Sequence, residues 1–370
     1  MTIDIIAGAR PNFMKIAPII SSIHKAKSNG NDIEYRLIHT GQHYDRKMSG
    51  DFFDQLEIPE PDINLGAGSG SQAEQTAAIM TGYEKILLEK KPDICLVVGD
   101  VTSTMACAIT AQKMHVKVAH VEAGIRSGDW SMPEEINRMV TDSITNYFFT
   151  TSETANNNLR KLGIAEEHIF FVGNTMIDTL LHNRHKFIKP EIWDELNLAP
   201  ENYIVLTLHR PSNVDDGEKL KDLVEELIKN SNELPVIFPA HPRTAKIISG
   251  LGLNHPKLCV IEPLSYLEFN YLVERAKVVI TDSGGITEET TVMGIPCMTL
   301  RDTTERPETI NIGTNELIGS NPKGIKQALK KLFEGNWKKG GIPELWDGKS
   351  SERIVNALLA LNIKHKEYQQ

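Results

Sequence analysis

Several features that mark other classes of protein are scarce in this chain. No apolar run approaches the ~20 residues needed to cross a bilayer. The N-terminus, Met-Thr-Ile-Asp-Ile-Ile, has neither the basic segment nor the long apolar segment of a signal peptide. Together these absences predict a cytoplasmic protein with no membrane partner. Basic residues are outnumbered, 40 Lys and Arg against 49 Asp and Glu, for a net charge of −9. That balance argues against a nucleic-acid partner, which would need a broad positive field, while leaving room for a local basic pocket around an anionic ligand. The four cysteines, Cys95, Cys107, Cys259 and Cys297, form no CxxC pair, so buried thiols in a reducing compartment are expected rather than a disulfide framework. There is no HExxH and no His–Cys or carboxylate cluster with metal spacing, hence no metal is expected. The GxGxxG dinucleotide fingerprint is missing as well, and with it the expectation of a nicotinamide cofactor. Low-complexity tracts and short repeats are likewise absent.

What is present is an alternation. At 370 residues the chain exceeds what one core holds, about 250–300 residues, so two domains are expected. Short apolar runs predict strands at 3–7, 35–39, 94–98, 116–121, 147–150 and 169–172, then at 203–208, 236–238, 258–261, 278–281 and 297–300. Amphipathic stretches between them predict helices at 13–27, 72–89, 103–114, 134–145 and 153–162, then at 217–230, 242–248, 266–276, 286–293, 323–333 and 351–361. Strands this apolar, separated by helices, belong to parallel sheets covered on both faces. The predicted fold class is α/β: two Rossmann-like domains whose parallel sheets face a central cleft. The first domain is expected over residues 1–185 and the second over 186–350, with a linker near 186–202. A last helix in 351–370 is expected to cross back to the first domain.

Open α/β sheets bind ligands at the carboxyl ends of their strands, so the residues just after each strand carry the functional reading. Gly8-Ala9-Arg10-Pro11 joins the first strand to a helix; a tight turn, a helix N-terminus and Arg10 suit an anion, with Lys15 one turn further on. The bland reading is an ordinary strand–helix turn. Asp282-Ser283-Gly284-Gly285-Ile286-Thr287-Glu288-Glu289 pairs a glycine-rich helix start, fitted to a diphosphate, with acids one turn later that can accept from ribose hydroxyls. Asp100 and Glu122 end two consecutive strands and are expected to converge; mutual repulsion of converging carboxylates would raise one pKa into a useful acid/base range. Glu134 and Glu135 open a helix in Met-Pro-Glu-Glu-Ile-Asn-Arg, and Glu134 with Arg138 has i,i+4 spacing. His209 and His241 each follow a strand of the second domain. The loop Arg301-Asp302-Thr303-Thr304-Glu305-Arg306-Pro307-Glu308 is charge-dense; such a loop is usually a solvated surface, but beside the Ser-Gly-Gly turn it is expected to close the nucleotide site or bridge the domains.

Read together, GARP, GDVTST, HVEAGIR, PEEINR, LHRPSN, TDSGGITEE and LRDTTERPE, in this order, resemble the non-hydrolysing UDP-N-acetylglucosamine 2-epimerases, from about Ile6 to about Gly319. The resemblance implies the two-domain fold of glycogen phosphorylase and many glycosyltransferases, a homodimer, and no cofactor. It implies that Arg10, Ser283, Gly284 and Gly285 hold the diphosphate of a UDP-sugar, that Glu289 holds the ribose and that Phe269 contacts uracil. It implies catalytic roles for Asp100, Glu122 and Glu134, with Arg138 and His209 beside them. The implied reaction interconverts UDP-N-acetylglucosamine and UDP-N-acetylmannosamine, a step toward surface polysaccharides. Members that use substrate as an activator have two glutamines in the Gly-Gln-His loop and an arginine before the next helix. Here Gln42 and His43 are kept, Asp45 stands in place of the second glutamine, and 66–72 holds no arginine. The short span from Glu122 to Glu134 also resembles the branch acting on UDP-2,3-diacetamido-2,3-dideoxyglucuronate. A hydrolysing 2-epimerase, a glycosyltransferase of the same fold and a non-catalytic sugar-nucleotide binder are the remaining alternatives.

Overall fold

The structure, a computed structural model, describes residues 1–41 and 55–367, apart from the side chains of residues 10, 211, 212 and 363–367. Gln42, His43, Asp45 and Arg46 lie outside the described residues. Contacts divide the chain into two units, one of residues 1–182 with 344–370 and one of residues 183–343.

In the first unit the strands are β1 (Thr2–Ala7), β2 (Glu34–His39), β3 (Ile63–Asn64), β4 (Ile94–Val98), β5 (Lys117–Val121), β6 (Tyr147–Thr150) and β7 (Ile169–Phe171). They form one sheet in the order β3-β2-β1-β4-β5-β6-β7, every pairing parallel. Helices α1 (Arg10–Ser28), α2 (Gln72–Glu89), α3 (Thr102–Lys113), α4 (Pro133–Ile144), α5 (Glu153–Lys161) and α6 (Thr175–Asn183) connect them. Local chemistry sets the starts: Ser71 and Glu74 close a reciprocal capping box on α2. β3 and α6 were not legible in the sequence. Two residues are too few to show an alternation, and α6 starts at Thr175, only three residues separating it from β7, too close behind the strand for its own periodicity to stand out.

The second unit holds β8 (Ile204–Thr207), β9 (Val236–Pro239), β10 (Leu258–Ile261), β11 (Val278–Thr281), β12 (Cys297–Thr299) and β13 (Asn315–Leu317), parallel in the order β10-β9-β8-β11-β12-β13. Its helices are α7 (Ile192–Glu195), α8 (Pro211–Val214), α9 (Gly217–Asn230), α10 (Pro242–Gly250), α11 (Tyr266–Arg275), α12 (Gly284–Met293), α13 (Pro307–Asn311) and α14 (Pro322–Phe333). Ile204 and Leu206 pack on one face of this sheet, Tyr203 and Val205 on the other. Burial on both faces is why the strand sequences are continuously apolar.

The final helix, α15 (Ser350–Glu367), packs on α1 of the first unit. Its first amides are capped by a buried carboxylate: Ser350 and Ser351 N–H donate to Asp178 at 3.0 and 2.7 Å. Just before it, the buried Trp346 donates its indole N–H to the Thr151 carbonyl at 3.0 Å.

In each sheet the strand order reverses once, between β1 and β4 and between β8 and β11. Such reversal points open a crevice at the carboxyl ends of the two strands, where ligands of this architecture sit.

Candidate active site

In the first unit the reversal point is stitched by Asn12. Its side-chain oxygen accepts from the N–H groups of Gly8 and Ala9 at 3.1 and 3.0 Å, and its amide donates to the Val98 carbonyl at 3.1 Å. The turn after β1 is thereby fixed to the end of β4. Gly99 follows with φ +70°, and a Cβ there would lie 3.2 Å from the Lys15 ammonium. The positive φ is what favours glycine, and it turns the chain so that Asp100 begins the next segment.

Lys15, on α1, reaches Glu122 at the end of β5 with Nζ 2.7 Å from Oε2, and both groups are buried. Glu122 has φ +70°, a left-handed conformation costing a non-glycine residue about 1–3 kcal/mol. Two bonds hold it there: the N–H groups of Glu122 and Ala123 both donate to the Phe149 carbonyl, at 3.0 and 3.1 Å. Asp100 pairs with Arg138 of α4 at 2.5 Å. The Asp100 side chain keeps 28% of its exposure while Arg138 keeps 4%, so the guanidinium lies beneath and the carboxylate is the reachable partner.

The expectation of bare, repelling carboxylates is therefore corrected. Each acid has its own cation, Lys15 on Glu122 and Arg138 on Asp100. The expected Glu134–Arg138 pair is also replaced. Arg138 bonds Glu135 at 2.7 Å, an i,i+3 pair, because the buried face of α4 carries Glu135, Asn137, Arg138, Thr141 and Asp142. Glu134 is half-buried at the helix start. Burial pushes the Glu135 carboxyl up, but the Ser127 and Gly128 N–H groups and Arg138 outweigh it and hold the pKa below the usual range.

In the second unit Thr207 and Thr281 share a hydrogen bond of 2.7 Å across β8 and β11. Asp282 follows, fully buried, and accepts from the N–H groups of His209 and Arg210 and from the Asn213 amide. Its Oδ1 lies 2.7 Å from Nδ1 of His209, whose side chain is 61% exposed. Burial pushes this carboxyl up, yet the His209 contact, the Asn213 amide and the Arg210 N–H together keep it low. Asp282 thus anchors an exposed imidazole at the reversal point.

Ser283 opens α12 without capping it by its side chain, and the first N–H groups of α12, at Gly284 and Gly285, carry the positive end of the helix dipole. A Cβ on Gly284 would lie 3.0 Å from Glu305 Oε1. Burial raises the Glu305 carboxyl, but Arg301, 2.6 Å away, and the charge of Arg306 bring it to about 2. Arg306 also pairs with Glu288 at 2.5 Å, both buried. Arg301, Glu305 and Arg306 of the charge-dense loop thus join Glu288 in a largely buried set of ion pairs, while Asp302 and Thr303 stay exposed. Glu289 is buried and accepts from the Tyr266 hydroxyl at 2.8 Å. Desolvation, helped by the neighbouring Glu288 charge, raises it to about 7 against the pull of Tyr266 and Asn270. Phe269 lies half-buried on α11 against the second-unit core. His241 serves as a cap: its Nδ1 accepts from the Arg243 N–H at 3.4 Å at the start of α10.

Sequence reasoning missed Asn12, Tyr266 and the buried pair of His120 and Asp142. Asn12 stood one residue beyond GARP, and His120 two before Glu122, but nothing in their spacing distinguishes them from packing residues. The Arg10 side chain lies outside the described ones. Among the described residues, no group of three or more His, Cys, Asp or Glu side chains is arranged to hold a metal ion, and no helix is long and apolar enough to cross a membrane.

The family model described as UDP-N-acetylglucosamine 2-epimerase matches residues 25–359. The UDP-N-acetylglucosamine 2-epimerase of Methanocaldococcus jannaschii is 42% identical over 97% of this chain and 99% of its own length. The UDP-2,3-diacetamido-2,3-dideoxy-D-glucuronate 2-epimerase of Pseudomonas aeruginosa is 40% identical over 98% of this chain and all of its own length. The crystal structure of the M. jannaschii enzyme in complex with UDP-GlcNAc and UDP superposes with a TM-score of 0.84, covering 97% of this chain and 99% of the other.

Proposed function

The chain belongs to the UDP-N-acetylglucosamine 2-epimerase family, and on that premise we propose that it interconverts UDP-N-acetylglucosamine and UDP-N-acetylmannosamine without net hydrolysis, as a homodimer in the cytoplasm, supplying surface polysaccharide synthesis. The observation that carries this reading is the pairing of two acids with two cations at the ends of adjacent strands, Glu122 on Lys15 and Asp100 on Arg138.

The chemistry asks for that arrangement. Carbon 2 of the sugar carries a weakly acidic hydrogen. A base removes it as a proton, the electron pair forms the C1–C2 double bond, and the C1–O bond breaks to release UDP. The glycal then takes UDP back at carbon 1 and a proton at carbon 2 on the opposite face. Atoms and electrons balance without an oxidant. Both faces of carbon 2 need an acid or base, and we assign these roles to Asp100, Glu122 and Glu134. Arg138 holds Asp100 in place, and His209 is available to the departing diphosphate. We assign Arg10, the Ser283 side chain and the amides of Gly284 and Gly285 to the diphosphate, which needs fixed positive poles as its charge grows. Glu289 is assigned to the ribose and Phe269 to uracil.

Incubation with UDP-N-acetylglucosamine in heavy water, followed by NMR, tests the reading. Deuterium at carbon 2 with UDP still attached is the expected result. Free sugar would indicate hydrolysis. Exchange only with UDP-2,3-diacetamido-2,3-dideoxyglucuronate would move the substrate to that of the P. aeruginosa relative.

A further inference from the structure

His120, on β5, is fully buried and lies two residues before Glu122. Both of its ring nitrogens face acceptors. Nδ1 is 2.7 Å from Oδ1 of Asp142, and Nε2 is 2.8 Å from the carbonyl oxygen of Gly99. A carbonyl can only accept, so Nε2 carries a hydrogen. Asp142, on α4, is itself fully buried and bound as a carboxylate: Oδ2 accepts from the Gly124 N–H at 3.0 Å and from Arg126 at 2.7 Å. Burial alone would raise Asp142, but His120 and Arg126 hold it below the usual carboxylate range. An ionised oxygen against Nδ1 requires a hydrogen there too. The ring is then an imidazolium, and it and Arg126 are the two cations on this carboxylate.

The partners of the pair are spread over three segments. Gly99 immediately precedes Asp100. Gly124 and Arg126 follow Glu122, whose backbone is held in the left-handed region. Asp142 lies one turn after Arg138 on the same buried face of α4. Movement of any one segment breaks a charge-assisted bond within the pair. We propose that the His120–Asp142 pair is a positioning device that fixes Asp100 and Glu122 relative to each other, with both ring nitrogens of His120 donating. It touches no substrate; its effect passes through the turns it holds. This rests on the epimerase reading for its catalytic consequence, though not for the state of the ring.

The experiment has two readouts on the full chain. Nitrogen-15 NMR of the histidine-labelled protein, assigned through ring-to-backbone correlations, reports which ring nitrogens of His120 carry a hydrogen in the buffer of the activity assay. Both nitrogens are expected to carry a hydrogen; one bare nitrogen overturns the inference. The second readout is kinetic. His120→Gln keeps a donor but loses the charge, and Asp142→Asn removes the partner charge. Each is expected to lower kcat about 10²-fold, as a misplacement of about 1 Å does, with the KM and UDP affinity changed by less than about threefold. Near-normal kcat, or equal loss of kcat and UDP affinity in a folded variant, overturns it. If a variant fails to fold, the ring measurement on the parent chain still decides. If the parent shows no exchange at carbon 2, the epimerase reading fails while the ring measurement continues to judge the pair.

Discussion

The sharpest test of the nucleotide half concerns Glu289. Its carboxyl is buried beside Tyr266 and raised to about 7. Ribose hydroxyls donate, so the ionised form is the one that binds. Near pH 6 about one carboxyl in eleven is ionised and near pH 8 about ten in eleven, and apparent affinity scales with the competent fraction, which gives roughly tenfold tighter binding at pH 8. The ligand must be UDP-N-acetylglucosamine, whose diphosphate is esterified at both ends, because the terminal phosphate of UDP titrates near ~6 itself. Calorimetry at several pH values reads the effect, and Glu289→Gln should bind weakly with a flat profile. Stability carries the opposite sign. With the folded value raised from 4.5 to about 7, the folded state holds the extra proton between those limits. Stability from this group is full below about 4.5 and is lost as pH rises through 7, by about 3 kcal/mol. Urea midpoints of the parent and Glu289→Gln should therefore diverge toward pH 8, with the variant the more stable. A flat affinity profile in the parent, or tighter binding at low pH, would refute both the raised carboxyl and its contact with ribose.

Asp100→Asn, Glu122→Gln and Glu134→Gln are each expected to lower turnover about 10²–10⁴-fold with UDP affinity kept, read by carbon-2 exchange and by calorimetry; normal turnover in all three would remove the catalytic assignment. Gly173→Ala should destabilise the first unit severely, since its Cβ would meet the Leu345 carbonyl oxygen at 2.1 Å at φ +95°; a urea midpoint equal to the parent's would contradict the packing. Starting from pure UDP-N-acetylmannosamine, the reaction should run without a lag, because residues 66–72 contain no arginine to fix an activator diphosphate. A lag abolished by a trace of the gluco-epimer would show that an activator site exists.

The sequence by itself determined the elements that local chemistry dictates. Apolar runs buried on both faces required parallel strands, so β4, β6, β10 and β11 were legible to the residue, as was α2. Turn chemistry after each strand located Asp100, Glu122, His209 and the Ser283-Gly284-Gly285 start of α12, because strand ends are where backbone must change direction and polar residues can be tolerated. Tertiary structure alone decided the partners. Arg138 turned from Glu134 to Glu135 and Asp100 because the buried face of α4 is set by packing against the sheet, not by spacing along the helix. The loop at 301–308 reads as hydrophilic, yet Arg301, Arg306 and Glu308 are buried: Arg301 pairs with Glu305 within the loop, and Arg306 with Glu288 of α12. His120 and Asp142 are 22 residues apart and meet only because β5 lies beside α4. Pairing across such distances leaves no period in a sequence; it exists only once the sheet has brought the strand ends together.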